Sequence, residues 1–285
     1  MKLLLTAIFL VAAVWAGVFY FVPAFAGDVP VAVSFEILGL TIHWYGAVMT
    51  AGILASFFAA QVLGAKQKLD LKNLENLVLI MAVAGLAGSR LYFVIFSWEY
   101  FQDHISEIFQ IWRGGLSIYG GIIGGLAAGF LYVRRKSPDA RIYLDLAAVV
   151  LPLGQAIGRF GNFFNQEAFG LPASISWKMF VDPDHRPAQH MAERFFHPTF
   201  LYESAWNLAV FFILTYIYLK QKPKPGFVLG AYFVLYGIGR FLIEGMRLDS
   251  FFISGVRVDQ VASLVMIFLG TGIMYSAYEA RVENH

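Results

Sequence analysis

The chain has 285 residues, 59% of them hydrophobic and only 14% charged, with a mean hydropathy of +0.64. A soluble domain carries nearer a quarter charged residues because its surface must meet water, so lipid rather than a buried core accounts for the apolar excess. A net charge of +2 is too small to favour nucleic acid, and the absence of cysteine excludes disulfides, thiolate metal sites and a thiol nucleophile of the chain's own.

Helix crosses a bilayer core in about 20 apolar residues. Such windows run near 3–26, 44–64, 76–96, 115–133, 143–163, 200–219, 226–246 and 260–279. The first reads two ways. Lys2, an apolar run and Ala24-Phe25-Ala26 before Gly27 resemble a cleavable signal peptide, yet the run is long for one and also suits a retained span. The expectation is an all-α polytopic membrane bundle of about seven core helices plus a possible extra N-terminal span. No linker or low-complexity stretch divides the chain, so it reads as an N-terminal apolar segment over 1–40 and one transmembrane domain over 41–285. Residues 164–199, with Pro172, Pro183, Pro187 and Pro198, are too many for a mere connector and predict a small cap or subdomain.

Direction follows from the basic residues. Lys66, Lys68 and Lys72 fall in one connection, Arg134, Arg135, Lys136 and Arg141 in another, and Lys220, Lys222 and Lys224 in a third. These connections alternate along the chain, so they share one side, which the positive-inside rule makes cytoplasmic. Lys2 and Arg281 put both termini there if the first span is kept, and residues 164–199 fall outside.

Charges within spans cost several kcal/mol on insertion scales, so they pair, face a cavity or serve function. At 1.5 Å per residue, Arg159 lies about 24 Å beyond the cytoplasmic entry of its helix, in the outer third. Arg240 and Glu244 fall in the outer half of theirs, Arg90 near the outer end of its own, and Tyr45, Tyr119, Tyr202 and Glu203 begin helices that descend from outside. Tyr236, Arg240, Glu244 and Arg247 form one helical stripe and Gln155, Arg159, Asn162 and Gln166 a second. Facing one another, the stripes would enclose a polar pocket with an arginine near the middle of each, a natural phosphate clamp. Blander readings stand beside this one: Arg240 and Glu244 as an intrahelical pair, Arg159 joined to Glu167 or Glu203 as bundle glue, and the tyrosines as interfacial belt residues. Gly121, Gly125 and Gly129, and Gly154 and Gly158, are spaced for close helix packing. A transporter for an anionic lipid is the competing function, but it would favour a midplane site and two related halves, neither of which the sequence has.

Gly158-Arg159-Phe160-Gly161-Asn162-Phe163-Phe164-Asn165-Gln166-Glu167 resembles the G-R-x-G-N-F-x-N-x-E signature of the prolipoprotein diacylglyceryl transferases. His43-Trp44-Tyr45-Gly46, the run from Tyr119 to Gly124, His197-Pro198-Thr199-Phe200-Leu201-Tyr202-Glu203, and Tyr236-Gly237-Ile238-Gly239-Arg240 with Glu244 and Arg247 resemble the same family in the same order, over about 43–280. The resemblance implies transfer of the diacylglyceryl group of phosphatidylglycerol to the lipobox cysteine of a preprolipoprotein signal peptide, in a bacterial inner membrane, with no cofactor and no metal. It implies that Arg159 and Arg240 bind the phosphate and stabilise the leaving group, and that Glu244 orients Arg240. Tyr45, Asn162, Glu167, Tyr236, Arg247, Tyr202, Glu203, Gly120 and Gly121 then contact substrate or support those contacts. Tyr119 stands where some members have a histidine proposed to activate the thiol. A free tyrosine, with a pKa near 10, is a poor base, so the base stays unassigned, with His197 a further candidate.

Overall fold

The computed structural model describes residues 17–136, 139–221 and 223–282. Most of the first apolar window, with Lys2, and also Lys222, therefore lie outside the described residues. Seven long helices dominate: α1 (Trp44–Lys66), α2 (Leu71–Phe96), α3 (Ile118–Lys136), α4 (Arg141–Phe164), α5 (Thr199–Tyr216, continued by a π turn to Gln221), α6 (Phe227–Glu244) and α7 (Val258–Val282). All except α3 are long and apolar enough to span a membrane. Five glycines and three terminal basic residues dilute the apolar character of α3 without shortening it below 19 residues. Phe58, Leu79, Phe212 and Phe268 point outward on four different helices. An apolar belt of that extent suits lipid and is foreign to soluble monomers.

Local chemistry sets the helix ends. Asp70 caps α2 by accepting the Lys72 and Asn73 amides at 3.0 and 3.3 Å, and Gly226, at φ +98°, precedes α6. The Asp145 side chain, buried on α4, accepts the Gly226 and Leu229 amides at 2.8 Å each, so one helix caps the start of another. This end of the bundle also holds Lys66, Lys72, Arg134, Lys136 and Lys220, because the three basic connections alternate as the sequence predicts.

Glycine brings α2 and α3 together. They run antiparallel, with Gly88 against Gly120 and Ala84 against Gly124; a Cβ added to Gly124 would lie 2.5 Å from the Ala84 carbonyl oxygen. The remaining helices centre on α4, which packs against α1, α5 and α6, while α7 lies along α6. The core between them is drawn from Leu63, Leu146, Val149, Val210, Leu214 and Val228.

The opposite end carries the non-helical elements. A hairpin, β1 (Ser34–Ile37) with β2 (Leu40–His43), turns through Leu38 and Gly39, and another, β5 (Phe252–Ile253) with β6 (Val256–Arg257), turns through Ser254 and Gly255. All four turn residues have positive φ, as two-residue hairpin loops of this hand require. Residues 165–198 form a folded cap around β3 (Met179–Phe180) paired with β4 (Phe195–Phe196). The cap is seated on the bundle by Phe163, Phe169, Met179, Phe196 and Phe200, all buried. The short helical turn Val22–Ala26 packs into the same cluster through Ala24, Phe21 and Phe25.

Candidate functional site

Four helices deliver charge to one place at the cap end. Glu203, in the first turns of α5 and only 4% exposed, lies between three arginines. Its Oε2 is 2.6 Å from Arg159 Nη2 of α4, and its Oε1 is 3.3 Å from Arg240 Nη1 of α6 and 3.2 Å from Arg247 Nη1 just beyond it. Arg240 also meets Glu244 at 2.8 Å and Asp259, at the start of α7, at 2.6 Å. Arg247 clasps Asp249 through Nε and Nη2 at 2.9 and 2.6 Å. Arg257 donates to the Ser250 hydroxyl and to the Glu244 and Arg247 carbonyls, fixing the turn that follows α6. Three arginines thus share four carboxylates, of which Glu203 and Glu244 are buried, and a buried charge persists only when it has a partner. Burial is the largest influence on the Asp249 carboxyl and pushes it up, but the hydrogen bonds and charge of Arg247, a backbone hydrogen bond and the charge of Arg240 together hold it below the usual carboxylate range. The Arg247 guanidinium is raised in turn: burial, the largest influence, opposes this, and the bonds to Asp249 together with the charges of Asp249, Glu203 and Glu244 prevail.

Arg159 and Arg240, expected to face each other across an open pocket, are instead bridged by one carboxylate. The space left beside Glu203, Tyr236 and Arg240 is about 10 Å³, room for about one water and too little for a phosphate. The two arginines also differ. Arg240 is engaged by three carboxylates, whereas Arg159, at 23% the most exposed of the three that meet Glu203, uses Nη2 alone. Among the described residues nothing engages Nε or Nη1 of Arg159, which remain as donors.

The other predicted residues divide. Glu244 is buried beside Arg240, and Tyr236 stacks on Tyr232 with ring centroids 5.6 Å apart. Asn162 and Asn165 both donate to Glu167 Oε1, at 3.0 and 3.3 Å. Glu167 is exposed and flanked by Gln166 and Ala168, both at positive φ, strain of the kind that clusters at functional sites. Tyr45 lies over Gly161, where a Cβ would be 2.9 Å from the ring. The Tyr202 hydroxyl accepts from Trp177 Nε1 at 3.0 Å and lies 3.1 Å from His197 Nδ1, while the His197 backbone is bonded to Gly170 and Leu171 in the cap. Gln166 leaves its stripe, because α4 ends at Phe164, and accepts the Asp182 amide at 2.7 Å. Tyr119 is 66% exposed on α3, with its ring near Tyr92 and not against the arginine cluster. Gly120 and Gly121 press on Gly88 and Ser89, a packing role.

Arg90 is structural. It is buried and donates to the carbonyls of Glu107, Ile108, Gly114 and Gly115 at 2.6–2.9 Å, which fixes the loop leading to α3. Sequence reasoning did not reach Asp249, Arg257 or Asp259. An acidic residue opening the last helix, at the depth of the arginines, was the available signal for Asp259.

Residues 32–276 match the family described as prolipoprotein diacylglyceryl transferase. Among relatives named phosphatidylglycerol–prolipoprotein diacylglyceryl transferase, the one from Thermotoga petrophila is 44% identical over 243 residues, 84% of this chain and 83% of the relative. That from Fervidobacterium nodosum is 40% identical over 272 residues, 94% and 93% of the two chains. A third, from Thermosynechococcus vestitus, is 39% identical over 251 residues, covering 86% and 92%.

Proposed function

The chain belongs to the prolipoprotein diacylglyceryl transferase family, and we propose that the arginines gathered on Glu203 carry its chemistry. The reaction moves the diacylglyceryl group of phosphatidylglycerol to a prolipoprotein. The acceptor is the lipobox cysteine thiol in the signal peptide of a preprolipoprotein. Its sulfur attacks the glycerol carbon that bears the phosphate; the carbon–sulfur bond forms as the carbon–oxygen bond breaks, the thiol proton passes to a base, and glycerol phosphate leaves. Negative charge grows on the phosphate oxygens through that step. Fixed donors in a dry site act most strongly where charge develops.

The observation that carries this reading is the asymmetry of the cluster. Glu203 fixes Arg159, Arg240 and Arg247 in place, and Arg159 keeps donors free on its more open side. The phosphate docks on Arg159, with Arg240 behind it as an oriented positive charge held by Glu203, Glu244 and Asp259. Glu167, one oxygen of which is held by Asn162 and Asn165, takes the hydroxyls of the glycerol headgroup. Tyr45 and Tyr236 shape the walls around these groups. Tyr202 and His197 support the start of α5 beside Glu203.

The body over 41–285 is the transferase domain, with residues 164–199 as a periplasmic cap and 1–40 as an N-terminal addition. It is a multi-pass protein of the bacterial inner membrane, in contact with membrane lipid. The cap end faces outward and the C-terminus lies in the cytoplasm, since basic connections are retained inside. Mass spectrometry of a lipobox peptide incubated with the purified protein and phosphatidylglycerol tests the reading. The peptide gains one diacylglyceryl group, and Arg159→Ala abolishes the gain while the protein still inserts. A peptide mass that never changes removes the reaction; full activity in Arg159→Ala removes the docking assignment alone.

A further inference from the structure

Between α1, α4 and α5 lies an apolar cavity of about 460 Å³, inside the range of roughly 300–1,000 Å³ typical of small-molecule sites. Trp44 and Ala51 of α1 form one side, and Phe160 and Phe164 of α4 another. The hydroxyl at its edge, that of Ser204, donates to the Ala156 carbonyl at 2.8 Å. The cavity adjoins the arginine cluster on two elements at once, because Phe160 follows Arg159 and Ser204 follows Glu203.

Phe21 lines a further side of this space, which stays open to the surface, and it comes from the segment that precedes the family match at residue 32. It is firmly held. Its ring centroid is 4.4 Å from that of Phe163 and 5.9 Å from those of Phe160 and Phe25. The segment behind it is tied down as well. Ala24 is fully buried, the Tyr20 hydroxyl accepts the Ala32 amide at 2.7 Å, and Gly27, at φ +81°, lies so close to Phe180 that a Cβ would be 2.5 Å from its ring. Residues 20–32 are therefore anchored to the cap and present one aromatic ring, Phe21, to the cavity.

We propose that this cavity receives one acyl chain of the diacylglyceryl donor and that Phe21 sets the length and bulk of chain it accepts. The proposal rests on the transferase reading above. A single hydrocarbon chain suits the walls, which offer nothing for a peptide backbone to bond. A helical peptide suits them less: a cylinder about 10 Å across fills the volume within about 6 Å of its length, little more than one turn. A donor phosphate on Arg159 would leave its glycerol next to Phe160, at the cavity edge.

The test is a competition. Full-length protein receives a lipobox peptide and equal amounts of a short-chain and a long-chain phosphatidylglycerol, and the two thioether products are weighed by mass spectrometry. Phe21→Ala shifts the product ratio toward the long chain by about tenfold, the lower end of what one methylene is worth in an apolar pocket. Phe21→Trp shifts it toward the short chain, as does Ala51→Leu on the opposite wall. If Phe21→Ala does not accumulate, the other two variants decide. A ratio unchanged in every variant that makes product overturns the proposal and leaves the transferase reading intact. A shift with Ala51→Leu but none at Phe21 overturns the role given to Phe21. An unchanged lipid ratio with a raised KM for the peptide assigns the cavity to the peptide, against the proposal. If the wild type makes no product from either donor, the transferase reading itself has failed.

Discussion

Replacing Glu203 with glutamine keeps the shape of the side chain and one acceptor oxygen but removes the charge that three arginines share. Arg159, Arg240 and Arg247 lie 2.6, 3.3 and 3.2 Å from its oxygens, and the carboxylate is 4% exposed, so water cannot replace it. Arg159 would then lose the one carboxylate it meets among the described residues, and Arg240 and Arg247 would each lose one of theirs. Breaking a buried pair from one side costs about 3–5 kcal/mol, and the retained shape points to the lower end, about 3 kcal/mol. At roughly 2–4 °C per kcal/mol for a chain of this size, the melting temperature in detergent should fall by about 10 °C. Asp249→Asn supplies the internal comparison. Asp249 bonds Arg247 as closely, but its side chain is 47% exposed, so its loss should cost no more than about 1 kcal/mol. The double variant Glu203→Gln with Arg159→Met should then lose less than the sum of the two single changes. Thermal unfolding of the four proteins, alongside peptide transfer, provides the assay. If Glu203→Gln melts within a degree or two of Asp249→Asn, the carboxylate is not the hub of the cluster and the account of the site is wrong.

Arg159→Lys keeps the charge but loses the planar fork, and transfer should drop on the order of 100-fold with little change in melting temperature, read by initial rates at saturating lipid. Gly124→Ala should cost about 1–3 kcal/mol, because its Cβ meets the Ala84 carbonyl oxygen at 2.5 Å and backbone must move. Gly272→Ala, which meets open space on α7, should be neutral or slightly stabilising in the same unfolding assay. The Asp249 carboxyl is held below its ordinary value, so its contribution is complete above pH about 4 and is lost as pH falls through the folded-state value. Asp249→Asn should therefore remove part of the acid-induced loss of stability and leave the profile from pH 6 to 8 unchanged, as unfolding across pH would report.

The long helices were legible because lipid imposes a blunt rule. The apolar windows at 44–64 and 143–163 became Trp44–Lys66 and Arg141–Phe164, and Asp70 explains why α2 starts before its apolar run. Depth was legible too: residues sorted by rise per residue did meet at one end of the bundle. Position around the bundle axis was not. Spacing put Arg159 and Arg240 at one level and offered Glu203 as a partner for Arg159, a pairing the structure has, but could not show that the same carboxylate would also reach Arg240 and Arg247. Nor could it show that Tyr119 lies on the far side of a helix zipped to α2. Gln166 left its stripe because a signature read as continuous helix crosses a helix end at Phe164, after which positive φ at Gln166 and Ala168 redirects the chain. Asp249 and Asp259 escaped notice for a related reason: one lies between the last two spans and the other just before the apolar window that opens at residue 260, where a charge draws no attention.

The placement of Glu203 also bears on how the chain is made. Arg159 leaves the ribosome first, Glu203 next, Arg240 with its own intrahelical partner Glu244 after that, and Asp259 last. Each arriving helix brings the counter-charge for the one before it. The first arginine must wait about 40 residues for its partner, during which α4 holds an unmatched cation at membrane depth. Release of α4 into lipid ahead of α5 would expose that cation to hydrocarbon; entering together, the two helices present a neutral pair. The carboxylate that organises the site is thus also the residue that lets its arginines enter the bilayer.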